Sequence, residues 1–167
     1  MTPFETNHPV NPQLVKNLLQ RIDPTSGVDV GHQLGLSDRY FDAMFAVAVK
    51  YYDNNRFDDA MKIARQLILM ESNNHRNYKL YAACFQAKED YVSAIRVYQN
   101  SIALGALDAE VYFYAGQCFF LSKKFKEAAE SLRFAKTLCE KSPEKWTHIA
   151  HHVNDLLARA KQRSEQA

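Results

Sequence analysis

The feature that most constrains this chain is a pattern written three times at a spacing of 34 residues between Tyr40 and Glu140. Shifted by that period, the aromatics Phe57, Tyr91 and Phe125 coincide, each three residues before an alanine, Ala60, Ala94 and Ala128. Upstream, small residues coincide at Ala48, Ala82 and Gly116, aromatics at Tyr51, Phe85 and Phe119, and bulky residues at Met44, Tyr78 and Tyr112. Five columns in step imply a repeated structural unit that cannot bury its apolar face alone and must stack on its copies.

Each unit reads as helix, tight turn, helix. The small residue lets two helices approach closely, and the aromatic beside it fills the adjoining space. Polar runs at Asp53–Arg56, Lys88–Asp90 and Ser122–Lys124 mark the turns. A 34-residue helical hairpin is the tetratricopeptide unit. The expected fold is therefore all-α: three tandem repeats, at about 41–74, 75–108 and 109–141, forming a short right-handed solenoid within residues 37–141. In the first repeat Ser37 or Asp38 caps helix A, which turns Met44, Val47, Ala48 and Tyr51 inward, while helix B buries Ala60, Ile63, Ala64 and Leu67.

The flanks complete the solenoid. Residues 1–11 read as a flexible arm, and residues 12–36 as an N-terminal helix and a loop. That helix carries a stripe of Leu14, Leu18, Leu19 and Ile22, which needs either the first repeat or a second copy of the chain as its partner. Pro24, Gly27, Gly31 and Gly35 make 23–35 a loop. Residues 142–162 read as a capping helix, with Ser142 as cap, Pro143 in the first turn and the stripe Trp146, Ile149, Val153, Leu156, Leu157 and Ala160 covering the last open face. Residues 163–167 read as a flexible tail.

Composition excludes several classes of function. With 47% apolar and 24% charged residues and a net charge of +2, the chain suits one globular domain with a core and has no basic stripe for nucleic acid. The basic residues Arg159, Lys161 and Arg163 are read as complementing a helix C-terminal dipole. There is no membrane-length apolar run and no signal peptide at Met1–Glu5, which points to the cytoplasm. Cys84, Cys118 and Cys139 read as reduced structural residues. His148 and His152 have a spacing that can chelate a metal, but nothing completes a ligand set, so with His151 they read as a solvated polar face and no metal is expected. Without a phosphate loop, nucleophile elbow or paired carboxylates, neither an enzyme nor a cofactor is expected.

The informative excess lies on the A helices. The expected concave row is Phe45, Val49 and Tyr52, then Lys79, Ala83 and Gln86, then Phe113, Gln117 and Phe120, much of it apolar or aromatic, as a groove for an apolar peptide would be. Phe45 and Phe113 are expected to be partly exposed, and Lys79 and Gln86 to meet the backbone carbonyls of an extended occupant. The third A helix, Val111–Leu121, is apolar nearly all round and should be covered on more than one side. The Lys and Asn, then Lys and Arg, that clamp a terminal carboxylate in chaperone-binding tetratricopeptide domains are replaced here by Phe45 and Val49, then Glu110 and Tyr114.

The run Phe45–Tyr52, the helix-B start Phe57–Ala60, Ala82–Cys84 and Ala115–Cys118 resemble the class II chaperones of type III secretion, the LcrH/SycD-like family, with Lys79 a departure where an apolar residue is common. The resemblance implies a bacterial cytoplasmic, ATP-independent chaperone. Such a chaperone grips an extended, proline-containing segment of a secreted translocator in its groove, does not insert in membranes, and forms a possible homodimer through its N-terminal region. A chaperone of needle or filament subunits and a general adaptor are the alternatives.

Overall fold

A computed structural model describes residues 28–166 together with positions 13, 17 and 20. The proposed interface residues Leu14, Leu18, Leu19 and Ile22 lie outside the described residues. Among the described residues the chain is all-helical. The short α1 (Val30–Gln33) precedes three antiparallel hairpins: α2 (Asp38–Asp53) with α3 (Phe57–Met70), α4 (His75–Ala87) with α5 (Tyr91–Ala103), and α6 (Ala109–Leu121) with α7 (Phe125–Lys141). The long α8 (Pro143–Glu165) closes the series.

The period is visible in the backbone. Asn55, Glu89 and Lys123, one in each intra-hairpin turn, all adopt the left-handed conformation, with φ of 58°, 62° and 61°. A single left-handed residue reverses the chain in the fewest steps, so the two helices of a hairpin are brought side by side. Capping is local: Ser37 accepts a hydrogen bond from the Tyr40 N–H, Asn74 from that of Arg76, Asp90 from that of Ser93, and Asp108 from that of Glu110.

The small-residue column is the hinge of the packing. Ala48 and Ala82 are fully buried, and at Gly116 an added Cβ would lie 2.7 Å from the Leu132 Cγ. Ala60, Ala94 and Ala128 are likewise at zero exposure on the facing helices. Next to them Ala64, Tyr98 and Leu132, again 34 apart, fill whatever space each hairpin leaves, and all three are buried. α8 lays Trp146, Ile149, Val153, Leu156, Leu157 and Ala160 against the third hairpin, where they join one cluster with Leu132, Ala135 and Cys139.

Four expectations are corrected. The segment read as loop contains α1, whose Gly31 sits so close to Phe41 that a Cβ would lie 2.3 Å from its ring. Val47, read as inward, is 43% exposed, because Phe41 and Ala48 carry the packing of α2 instead. Ser142 occupies the N-cap of α8 but makes no side-chain cap hydrogen bond. The helix also runs on to Glu165, because Lys161, Gln162, Arg163 and Glu165 are good helix formers that sustain it without apolar anchors.

Candidate functional site

The concave face is built where each A helix meets the next. Between α2 and α4 the Arg76 guanidinium lies 4.2 Å from the centre of the Phe45 ring and donates to Asp42 at 2.7 Å. Between α4 and α6 Lys79 donates to Asp108 at 2.8 Å and to Glu110, while Gln86 donates to Gln117 at 2.8 Å. Between α6 and α8 His148 contacts Glu110 at 2.7 Å, and the Arg159 guanidinium lies 5.2 Å from the Phe120 ring centre. These two contacts join the starts of α6 and α8 and then their later turns. α8 therefore runs parallel to α6 and forms a fourth wall of the face.

In the middle of this face a cleft of about 320 Å³ is lined by Phe45, Arg76, Lys79, Leu80, Ala83, Tyr98 and Tyr114. Its walls are largely apolar, and its polar groups are few and fixed. Tyr98, buried under the floor, donates its hydroxyl to Gln86 at 2.9 Å, which in turn holds Gln117. Burial raises the titration of Tyr52, Tyr98 and Tyr114 above the ordinary phenol range, so all three keep their protons. The Nε of Arg76 is buried with no hydrogen-bond partner, a donor that costs free energy until something accepts from it.

The ion pairs are set by their surroundings. Burial works against the charge of Lys79, but hydrogen bonds to Asp108 and Glu110, together with their charges, more than offset it and move its pKa upward. Burial opposes the Glu110 carboxylate too, and Lys79 and His148 overcome that and hold its pKa below the ordinary value. The cysteines pack as small apolar groups: all three are free and buried, with Cys84 and Cys118 pushed up to about 12 by burial.

Of the nine residues expected in the concave row, the structure puts Phe45, Lys79 and Ala83 in the cleft and Gln86 and Gln117 at its edge in one hydrogen-bonded pair. Val49 and Tyr52 pack partly buried on the first hairpin. Phe113 is the main correction: it is 9% exposed and belongs to the buried cluster with Trp146 and Ile149, because α8 covers the side that the equivalent residues of α2 and α4 turn to an A-helix seam. Lys79 and Gln86 are also not free donors, since both are spent on seam contacts. Arg76, Leu80, Tyr98 and Tyr114 were missed. Leu80 and Tyr114 form a column of their own, one residue past Lys79 and Phe113, and that periodicity was the available signal. Among the described residues no group of His, Cys, Asp and Glu is arranged to hold a metal, and no helix is long and apolar enough to cross a membrane.

Fold and site together define a short tetratricopeptide-type solenoid with a largely apolar cleft on its concave face. A family model described as "Anaphase-promoting complex, cyclosome, subunit 3" matches residues 53–135, the helical-hairpin region. The chain is 23% identical over 130 residues to the low calcium response locus protein H of Yersinia pseudotuberculosis, covering 78% of this chain and 77% of that one. It is 24% identical over 132 residues to the chaperone protein SicA of Salmonella typhimurium, covering 79% and 80%. Its fold matches that of the Yersinia enterocolitica type III secretion chaperone SycD, solved with a peptide of the translocator YopD, at a TM-score of 0.72 and 22% identity over 77% of this chain and 97% of that one. The chain is thus similar in sequence and in fold to the LcrH/SycD-like class II chaperones of type III secretion.

Proposed function

We propose that the chain is an ATP-independent chaperone of type III secretion translocators, which holds an extended apolar or proline-containing segment of its client across the concave cleft and keeps it soluble in the bacterial cytoplasm before export. The observation that carries this reading is the cleft itself: apolar walls from Phe45, Leu80, Ala83 and Tyr114, and one buried donor, the Arg76 Nε, without an acceptor. An extended segment can seat alternate side chains in the cleft, and a turn of the Arg76 side chain would bring its Nε to one of the segment's backbone carbonyls. A helix spends its carbonyls on itself. SycD has been solved with a translocator peptide and as an alternative dimer, which supports the choice of client class and of a homodimer; the contact we assign to that homodimer is the stripe Leu14, Leu18, Leu19 and Ile22.

The test is titration calorimetry with peptides of roughly ten residues tiled along a translocator encoded beside this chain. One of them should bind at micromolar Kd, about 8 kcal/mol. Phe45→Glu should abolish that binding with little loss of helicity, because Phe45 is only partly buried. Binding only by a long amphipathic helix would replace this reading with a chaperone of needle or filament subunits.

A further inference from the structure

The concave face does not end at the central cleft. Where the last turns of α6 and the start of α7 face the end of α8, a second recess of about 610 Å³ is lined by Phe120, Leu121, Lys123, Phe125, Arg159, Gln162 and Arg163. Its floor is aromatic, with Phe120 and Phe125 edge to face at 5.3 Å, and Leu121 on its rim is 48% exposed. Its charge is of one sign. Lys123, Arg159 and Arg163 line it, no carboxylate does, and among the described residues none of the three is in an ion pair. The other cations of the concave face are neutralised, Arg76 by Asp42 and Lys79 by Asp108 and Glu110.

Complementing a helix dipole does not account for this arrangement. That effect is confined to the last turn, and Arg159 lies more than a turn before Glu165 with its guanidinium over Phe120. With its carbon 5.2 Å from the Phe120 ring centre and no ion pair of its own among the described residues, the Arg159 guanidinium keeps donors that a carboxylate can engage through two parallel hydrogen bonds. Phe120 and Arg159 also belong to the seam that continues the groove from α6 to α8, so a segment leaving the central cleft across α6 arrives here.

We propose that this recess is an acidic-residue subsite: it takes an Asp or Glu of the client segment, together with the apolar side chain beside it, and so fixes the direction in which the segment crosses the groove. The proposal rests on the peptide-binding reading above. With one end of the segment held by the Arg76 donor and the other by Arg159 and Arg163, a reversed segment would bring its acid to Asp42 and lose both contacts.

The experiment selects peptides of about sixteen residues from a display library on the full chain, discards those still retained by Phe45→Glu, and titrates one carrying an acid. The acidic peptide and its Glu→Gln counterpart are each measured on wild type and on the double variant Arg159→Gln, Arg163→Gln. Both arginines are exposed, so folding should be unchanged, which melting checks. The expected result is a roughly tenfold loss for either change alone, no further loss when they are combined, and a wild-type affinity that falls with added salt. Equal affinity of the acidic and neutral peptides for wild type would overturn the subsite while leaving the groove intact. Self-association lost in the double variant with peptide affinity unchanged would assign the recess to a second copy and overturn it as well. If no selected peptide depended on Phe45, the groove reading itself would fall, and the subsite with it.

Discussion

At the scale of single residues, the columns of the repeat are held by volume. Gly116 occupies the position that Ala48 and Ala82 fill elsewhere, yet the space for a methyl group is already taken by Leu132, which stands where Ala64 and Tyr98 stand in the other hairpins. An alanine here would gain up to about 1 kcal/mol of helix propensity, but it would force the Leu132 Cγ, not merely the tip of its side chain, to move. Gly116→Ala should therefore be destabilising by about 1–2 kcal/mol net, read as a lower Tm. An unchanged or raised Tm would mean that α6 and α7 can part at no cost, and that the column does not set their spacing.

At the scale of elements, the groove is a set of seams between parallel A helices, and each seam uses a different chemistry. One column shows the range: Phe45 lies under Arg76, Lys79 is paired with Asp108 and Glu110, and Phe113 sits in an apolar core with residues of α8. Periodicity made that column legible in the sequence, and it made the helices and their small-residue contacts legible too. What fills a seam was not legible, because it depends on the partner helix: nothing around Lys79 in the sequence announces acids 29 and 31 residues away. The same limit hid α8 as a wall of the groove. Its apolar stripe marked it as a cap, but only the contacts of His148 and Arg159 place it parallel to α6.

The middle seam also makes a pH prediction. The lowered pKa of Glu110 contributes stability that is fully present above its ordinary 4.5 and is lost as pH falls through the lowered value. Lys79, raised above 10.5, contributes stability that is present below that value and lost as pH rises through the raised one. Between these limits Glu110→Gln should cost on the order of 1–3 kcal/mol, since it removes the charge and leaves Lys79 and His148 one acceptor oxygen in place of two in a partly buried site. Melts of wild type and variant should differ at pH 7 and converge as the pH falls below 4.5 and through the lowered value. A difference that stayed constant down to pH 3 would show that Glu110 acts by shape alone.

At the scale of the whole molecule, a stack in which each hairpin touches only its neighbours should lose stability locally before it loses it globally. The three buried clusters follow this order along the chain: one on the first hairpin and α4, one joining α4, α5 and α6, and one joining α6, α7 and α8. Trp146 belongs only to the last of these, is 6% exposed, and carries Lys145 over its ring at 4.4 Å. Trp146→Ala would remove a large buried side chain at the open end of the stack, where the cavity has only α6 and α7 to relax it, at a cost of about 3–5 kcal/mol. Much of the total stability of a domain of this size is of that order, so the loss should be visible as fraying rather than shared evenly. Native-state hydrogen exchange should show protection falling by most of that amount in α6, α7 and α8, by less in α4 and α5, and by little in α2 and α3. Because Phe120 and Arg159 stand on the frayed side, the variant should also bind client peptides more weakly, even though Phe45 and Tyr98 are untouched. A uniform drop in protection across all hairpins would show that the solenoid opens as one cooperative unit and that the seams, ion pairs included, couple its ends more tightly than nearest-neighbour stacking allows.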